Sequence, residues 1–340
     1  MNHTAAIIVL LLLLLGPLAI RPIEHHLELF ILGVGIVATF LSGGPRVEVI
    51  HSALSEPILI TIAVIVAALI FRAAREQLDK SFHWLRARIR RPILTAASIF
   101  VVAMLSSAIT AIVAALVLVE IAGLLHLHDG PRERVIVAGC FAVGLGAALT
   151  PVGEPLSTLA ASALGLGFFG LFDLLAPWVV PGIVAMALLA GYFAAGEYFE
   201  APPGAHVRKT RLDIVWQGGE VFGFVAGLVL ISEAYAPLAR QLVPRLSDAL
   251  LFWANTISAV LDNATLVALE VRAVPAERAR DIILALLISG GMLIPGNIPN
   301  VIAAGALNIK SGTWARLAIP IGLVLLGIYF AVLQVSSFTG

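Results

Sequence analysis

Charged residues are scarce in this chain. Of its 340 residues, 60% are hydrophobic and only 12% are charged, and the formal net charge is zero. Because a soluble domain is about 25% charged, the composition excludes an ordinary soluble protein and predicts an all-α polytopic membrane protein. The balanced charge also gives no reason to expect nucleic acid as a partner.

Cysteine is almost absent, since Cys140 is the only one. A single thiol excludes disulfide frameworks and thiolate metal sites within the chain, and we interpret Cys140 as a small buried core residue. Signatures of an intramembrane hydrolase are missing as well. The sequence has no paired-aspartate arrangement, no G-x-S-x-G elbow and no H-E-x-x-H motif. We therefore expect no enzymatic activity.

Fixed positive charge is missing from the interior of the predicted membrane spans. Most of the 21 Lys and Arg residues fall in loops predicted to be cytoplasmic, as the positive-inside rule requires. No cationic side chain therefore awaits a carboxylate or a phosphate at membrane depth. This argues against an anionic substrate as the main cargo, although helix N-termini can partly substitute for a cation.

What the chain does contain is a polar segment from Ser258 to Asn300. It opens with Ser-Ala-Val-Leu-Asp-Asn-Ala-Thr at 258–265 and closes with Pro-Gly-Asn-Ile-Pro-Asn at 295–300. These motifs place an acid, amides and hydroxyls at positions predicted to lie at membrane depth. Because polar groups are costly there, they indicate an ion pathway.

An earlier part of the chain repeats this pattern at a constant offset of 144 residues (Pro131 to Pro275). The recurring residues are Pro131, Glu133, Arg134, Gly146, Pro151 and Pro155, which match Pro275, Glu277, Arg278, Gly290, Pro295 and Pro299. Ser107 and Ala108 match Ser258 and Ala259 at an offset of 151. We interpret the pattern as an internal duplication. Proline- and glycine-interrupted spans at corresponding positions of two halves point to a transporter's binding site.

The duplication predicts the domain organisation. We expect N-terminal transmembrane helices over 1–56, a first repeat over 57–200, a cytoplasmic linker over 201–213 and a second repeat over 214–340. Each repeat contains one hairpin and one broken helix, predicted at 93–127 and 134–168 and at 248–272 and 278–308. Eight crossings with two hairpins make the repeats inverted, so that the re-entrant hairpins open on opposite faces. The basic segment 72–91 is either a helix in the membrane interface or an ordinary cytoplasmic loop.

The first repeat leaves two readings open at each of its polar motifs. If Ser107 marks a tip, residues 93–127 form a re-entrant hairpin; otherwise they form one helix whose hydroxyls bond back to its own backbone. The repeat favours the hairpin. Pro151 and Pro155 oppose a continuous helix, and a break frees carbonyls and helix ends that can bind a cation. A proline kink without function leaves the carboxylate of Glu154 unexplained.

The two repeats differ in charge. Glu154 stands where the second repeat has Ile298, and Asp262 stands where the first has Ala111, so each half holds one carboxylate. One carboxylate with hydroxyls, amides and carbonyls suits a hard monovalent cation such as sodium. A buried carboxylate without a cation tends to hold a proton instead. Competition between sodium and protons for such a site is sufficient for antiport.

These motifs resemble the ion transporter superfamily, which includes NhaD-type sodium/proton antiporters, arsenite permeases and sodium-coupled dicarboxylate carriers. The resemblance rests on S-A-V-L-D-N-A-T, T-P-V-G-E-P-L-S-T and G-N-I-P-N, covers about residues 57–336, and points to a bacterial and archaeal family of cation transporters. It implies an inverted repeat with cations bound where each hairpin tip meets a break, and alternating access. The implied first site comprises Ser106, Ser107, Thr110, Thr150, Gly153 and Glu154, and the second comprises Ser258, Asp262, Asn263, Thr265, Gly296, Asn297 and Asn300. The first hairpin, S-S-A-I-T-A, lacks the Asn or Asp often found at such tips, which leaves the completeness of the first site open.

We therefore expect a secondary active transporter of the inner (plasma) membrane that exchanges sodium for protons, with Asp262 and Glu154 as the titrating carboxylates. The alternative is a sodium-coupled symporter of a small solute, which can be anionic. We expect no cofactor, with sodium as the transported or coupling ion. The expected partners are membrane lipid, monovalent cations and protons, and a homodimer is a further option.

Overall fold

The computed structural model describes residues 3–20, 23, 26–125, 127–195, 211–261, 263–271 and 274–339. Over these residues the chain is helical and has no strand. The first seven helices are α1 (His3–Ala19), α2 (Leu27–Leu41), α3 (Val47–Arg86), α4 (Arg91–Ile109), α5 (Ala111–Leu124), α6 (Asp129–Ala147) and α7 (Pro155–Leu164). The next seven are α8 (Gly170–Phe193), α9 (Arg211–Leu242), α10 (Asp248–Ala254), α11 (Asn263–Glu270), α12 (Ala276–Gly290), α13 (Ile298–Leu307) and α14 (Ser311–Thr339). Short 3₁₀ turns occupy Val243–Arg245, Asn255–Ala259 and Ile294–Gly296.

Five stretches of these helices are long and apolar enough to cross a membrane. They are Val47–Val66, Arg91–Ile109, Gly170–Phe193, Ile214–Leu242 and Ser311–Val335. Large apolar side chains such as Leu188 and Val324 are exposed on their outer faces, which suits lipid as the solvent. Helices fit this environment because they satisfy all backbone hydrogen bonds within one segment. The prediction of an all-α polytopic membrane protein is confirmed.

Helix α3 differs from the prediction for the basic segment 72–91. It is one helix of 40 residues, Val47–Arg86, which begins before that segment and continues through most of it. At 1.5 Å per residue such a helix is about 60 Å long, roughly twice the thickness of the hydrocarbon core. The segment is therefore neither a loop nor a separate interfacial helix, but the continuation of a span.

The predicted linker 201–213 lies largely outside the described residues. Its last three residues open α9, which begins at Arg211. Helix α9 packs along both α2 and α3. Its contact with α2 has almost no side-chain layer, because a Cβ atom on Gly35 would lie 2.6 Å from the carbonyl oxygen of Gly227. Small residues at such crossings let two backbones approach closely.

The centre of the molecule is built from α6 and α12 with the segments that follow them. Residues 135–150 and 282–297 are buried without exception. Helix α6 packs against α4 and α8, while α12 packs against the 3₁₀ turn Asn255–Ala259 and against α11. The core therefore surrounds the two places where these central helices end.

The two halves of the chain cross over in their packing. Helix α5 packs against α13, and α11 packs against α7. In each case a helix that follows a predicted hairpin tip lies on the helix that follows the interruption in the other half. This exchange brings both interruptions to the middle of the molecule.

Candidate cation site

Helix α4 ends at Ile109 and α5 begins at Ala111, so the interruption lies at Thr110, three residues after the position predicted from Ser107. We call residues 106–111 the first tip. Thr110 has φ 74° and ψ 150°, a region that a β-branched residue rarely adopts. Its hydroxyl accepts a hydrogen bond from the backbone N–H of Val113 at 3.5 Å and so caps α5. Residues held in such conformations cluster at functional sites.

Ser106 and Ser107 belong to the last turn of α4. Their hydroxyls donate to the carbonyl oxygens of Ala103 at 2.6 Å and Met104 at 2.8 Å, as expected for hydroxyls within a helix. The hydroxyl of Ser106 also lies 3.1 Å from the carbonyl oxygen of Val143 in α6. These two hydroxyls therefore bond back to their own helix, as the alternative to the hairpin predicted. The helix itself, however, ends at Ile109.

The segment between α6 and α7, residues 148–154, is the first break. It contains three predicted site residues, Thr150, Gly153 and Glu154. The hydroxyl of Thr150 donates to the carbonyl oxygen of Ser107, and the backbone N–H of Ala111 donates to the carbonyl oxygen of Gly153 at 2.7 Å. The structure therefore joins the first tip to the first break by two hydrogen bonds.

Glu154 is 6% exposed and stands immediately before α7. Its carboxylate accepts from the backbone N–H of Ser157, and the hydroxyl of Ser157 accepts from the backbone N–H of Glu154 at 3.1 Å. This reciprocal pair is a capping box. A carboxylate at a helix N-terminus interacts favourably with the helix dipole, so the negative charge of Glu154 has a structural use as well as a predicted functional one.

The second tip, residues 258–263, lies between the 3₁₀ turn Asn255–Ala259 and α11. Ser258 is fully buried, and its hydroxyl donates to the carbonyl oxygen of Leu286 at 3.4 Å. Asn263 is 5% exposed, and its Nδ2 atom has no hydrogen-bond partner within the described chain. Asp262 lies outside the described residues, as does the side chain of Thr265.

The second break, residues 291–297, separates α12 from α13. Asn300 holds it together from the first turn of α13, because its Nδ2 donates to the carbonyl oxygens of Gly290 at 2.8 Å and Leu293 at 2.9 Å. The Oδ1 atom of Asn300 is buried and has no partner among the residues described. Gly296 touches the second tip, since a Cβ atom there would lie 2.8 Å from the carbonyl oxygen of Ser258.

The contacts of the two breaks correspond at an offset of 143 residues (Ala147 to Gly290), one fewer than the sequence motifs indicate. The hydroxyl of Ser157 lies 2.7 Å from the carbonyl oxygen of Glu154 and 3.3 Å from that of Ala147, and the amide of Asn300 occupies the corresponding position beside Gly290. The hydroxyls of Ser106 and Ser258 likewise lie 3.1 Å and 3.4 Å from the carbonyl oxygens of Val143 and Leu286. Helices α7 and α13 both have ten residues, and their left-handed C-terminal caps are Gly165 and Asn308.

This correspondence corrects the pairing of the carboxylates by one residue. Glu154 matches Asn297, which precedes α13 in the same extended conformation, and not Ile298. Counted from the first residues of α5 and α11, Asp262 matches Thr110 and not Ala111. The offset of 144 residues came from aligning prolines such as Pro155 with Pro299. Pro155 is the first residue of its helix and Pro299 is the second, and the first turn of a helix tolerates proline at either position.

The second break and the start of α13 border α6, the helix that leads into the first break. Asn297 is 6% exposed and reaches α6, where a Cβ atom on Gly144 would lie 2.7 Å from its Nδ2. The Sγ atom of Cys140, also in α6, lies 3.6 Å from the carbonyl oxygen of Pro299. Cys140 is buried, as predicted. In the described part of the chain, no three His, Cys, Asp or Glu side chains come together to hold a metal ion, so the donors here are hydroxyl, amide and carbonyl groups beside single carboxylates.

Two polar residues of this centre were not predicted. Ser157 lies within the first motif, but its contacts show that it is the counterpart of Asn300. Ser289, the residue before Gly290, is fully buried, and its Oγ has no partner in the described ranges. The proximity of Ser289 to the second break was a signal that could have identified it.

Two comparisons with known proteins bear on this site. A family model described as a protein of unknown function, DUF1646, matches residues 3–336. The Inner membrane protein YbiR of Escherichia coli (strain K12) is 28% identical over 152 residues, which is 42% of this chain and 41% of YbiR. The chain thus matches about two fifths of that curated relative. With the five apolar helices, this similarity confirms the prediction of a multi-pass inner membrane protein.

Proposed function

We propose that this chain, which belongs to the DUF1646 family, is a secondary active transporter that exchanges sodium for protons by alternating access. One observation carries the proposal. In each half a tip contacts a break at the centre of the core, where a buried helix ends in polar groups; hydrogen bonds join the first pair and a close approach at Gly296 joins the second. A membrane protein tolerates irregular backbone at such depth only where it is buried in protein or lines a cavity, and discontinuous helices of this kind form cation sites.

In this proposal each tip and break supply oxygen atoms to one cation. The first site uses Thr110, Thr150 and Glu154, and the second uses Asp262 with Asn297 and Asn300. The buried, unpartnered Oδ1 of Asn300 supports the second site, because its Nδ2 is already fixed on two carbonyl groups. The ionised carboxylates are stable while a cation is bound. When the cation leaves, burial favours the protonated form, which couples proton uptake to cation release.

The crossed packing of α5 with α13 and of α11 with α7 supports alternating access between inverted repeats. A shift of either tip moves a helix that rests on the other half, so the two sites are mechanically linked. The hairpins and their opposite orientations belong to this proposal, as does the Glu154 and Asp262 assignment.

A sodium-coupled symporter is the second candidate, and the amide of Asn263 favours it. Its Nδ2 atom is a buried donor without a described partner. A cation cannot accept a hydrogen bond, whereas a carbonyl or carboxylate group of a solute can. The pocket for such a solute would lie between the tips.

The deciding experiment measures proton flux in proteoliposomes that contain a pH-sensitive dye, with sodium, lithium or potassium added in turn. Asp262→Asn removes the charge and should reduce sodium-dependent flux by about 100-fold or more, since it removes a group that acts directly on the ion. The matched control is Asp248→Asn, which removes an exposed acid paired with Arg278 at 3.0 Å and should keep flux near wild type.

Two results would reject sodium/proton antiport. One is wild-type flux in folded Asp262→Asn protein. The other is the absence of any response to all three cations in folded wild-type protein. In the second case, sodium-dependent uptake of small carboxylates and neutral solutes by the same vesicles tests the symporter.

A further inference from the structure

A second polar feature lies outside the tips and breaks. Glu270, the last residue of α11, is 4% exposed, and its Oε2 accepts a hydrogen bond from Nδ2 of Asn255 at 2.9 Å. Asn255 is 1% exposed and belongs to the 3₁₀ turn of the entering arm. The bond therefore joins the two arms that lead to and from the second tip.

This carboxylate lacks a counter-charge in the described residues. Asn255 is its only hydrogen-bond partner there, and none of the ion pairs found includes it. An ionised carboxylate offers about four lone-pair positions, and one bond leaves most of them unused. The ionised form of such a group is costly to bury without a cation, and otherwise the carboxylate holds a proton. A ligand that brings a positive charge would remove that cost.

Glu270 lines a cavity of about 140 Å³ between the C-terminal part of α9 and the second hairpin segment. The other lining residues are mainly apolar and include Leu238, Leu251 and Leu266. Ser232 of α9 lines the same cavity; it is 4% exposed, and its hydroxyl has no partner in the part of the chain that the structure describes. The cavity thus combines a buried acid and a buried hydroxyl with an apolar wall.

The residues that line this cavity favour an organic ammonium group over a metal ion. A divalent cation such as Ca²⁺ takes about six to eight oxygen ligands, and the polar residues that line this cavity are few. An ammonium group has three N–H donors, which the carboxylate of Glu270 and the hydroxyl of Ser232 can accept. An apolar cavity of about 150 Å³ is large enough for benzene. We propose that this cavity binds a small monoamine with an apolar body, about the size of benzylamine.

The first half of the chain has no counterpart of this pair. Counted from the first residues of α5 and α11, the position of Glu270 corresponds to Leu118, and that of Asn255 corresponds to Ala103. Both are buried apolar residues in contact with α6. The acid and the amide are therefore not needed for the architecture that the halves share, which favours a function that belongs to the second half alone.

The test is binding of benzylamine to the purified full-length protein in phosphatidylglycerol nanodiscs, followed by calorimetry and by the unfolding temperature. Benzyl alcohol, which has nearly the same shape and no charge, should bind at least about tenfold more weakly, as expected for loss of a charge-assisted hydrogen bond. Glu270→Gln should cause a similar loss. The matched control is Glu233→Gln, which removes an acid of the same helix as Ser232 that pairs with Arg46 at 3.5 Å.

If Glu270→Gln does not fold, Ser232→Val keeps the carboxylate and removes the hydroxyl, and it should weaken benzylamine binding several-fold. Equal binding of benzylamine and benzyl alcohol would overturn the proposal, as would unchanged binding to the folded variants at Glu270 or Ser232. Competition by phosphatidylethanolamine in the nanodisc would show that a lipid headgroup supplies the ammonium and would also overturn it. Binding is measured without an ion gradient, so its outcome is independent of antiport.

Discussion

Different side chains bond to the carbonyl groups that are left free at the first and second breaks. In the first, the hydroxyl of Ser157 reaches the carbonyl oxygens of Glu154 and Ala147, and Ser157 forms a capping box with Glu154. In the second, Asn300 bonds to two carbonyl groups, and the residue before the helix is the neutral Asn297. The first break thus has an acidic side chain at its helix end, whereas the second has a longer amide and, in the proposed function, receives its carboxylate from Asp262.

This difference determines which side-chain atoms stabilise a break and which remain available to bind an ion. A hydroxyl donates one hydrogen, so Ser157 uses it for the break. A side-chain amide has its donors and its acceptor on different atoms. Asn300 can therefore hold the break with Nδ2 and present Oδ1 to an ion. We expect the second site to bind the cation more completely than the first, where the carboxylate is also a helix cap.

The sharpest way to test the shared architecture is to add one methyl group to each break. Gly153→Ala places a Cβ atom against the carbonyl oxygen of Ala147, and Gly296→Ala places one 2.5 Å from the carbonyl oxygen of Gly290. Because backbone atoms must move, we expect losses of about 3 kcal/mol for Gly153→Ala and about 2 kcal/mol for Gly296→Ala. Thermal unfolding in detergent measures both.

Gly305→Ala is the matched control, since nothing lies within 4 Å of a Cβ atom at this position of α13. It should leave the unfolding temperature unchanged or raise it, because alanine favours helix over glycine. An unfolding temperature of Gly153→Ala equal to that of Gly305→Ala would contradict the close approach at the first break.

A second test removes the polar side chains that support the breaks. Asn300→Leu keeps the volume but leaves two buried carbonyl groups without their donor, which should cost about 2 to 3 kcal/mol. Ser157→Ala removes one hydroxyl and should cost about 1 kcal/mol. The ratio of the two losses, measured by the same unfolding assay, compares the breaks directly, and an equal loss would refute the greater structural role of Asn300.

The smallest expected effect concerns the conformation of the first tip. Thr110→Gly relieves a positive φ that costs of order 1 to 3 kcal/mol in a non-glycine residue, against a smaller loss of cap and chain entropy. We expect the variant to be more stable by about 1 kcal/mol yet slower in sodium-dependent flux, because it lacks the hydroxyl. A variant that is both less stable and fully active would contradict this role.

The sequence predicted where the helices are interrupted, but it aligned the two halves with an error of one residue. Pro151 and Pro155 remove backbone donors, and that effect is local enough to be recognised without a structure. The tip at Thr110 carries no such signal, because its backbone conformation is imposed by contacts between Ala111 and Gly153 that form only in the folded chain. A positive φ at a β-branched residue cannot be predicted from propensity.

Two other features depended on information that is not local. The basic segment continues α3 because Arg, Lys, Glu and Leu are good helix formers, so a change from apolar to charged residues did not end the helix. Asn255 and Glu270 are fifteen residues apart in the sequence, and they meet only when the 3₁₀ turn Asn255–Ala259 packs against α11. Neither residue is unusual in its own sequence context.

The contact between Gly35 and Gly227 has a mechanical consequence for the proposed transport cycle. Where two helices touch through their backbones, no layer of flexible side chains can absorb a sliding movement. Helices α2 and α9 should therefore behave as a single stationary strut anchored in the bilayer. Motion during transport would then be confined to the short, interrupted helices, which would move as a unit relative to the stationary pair α2 and α9.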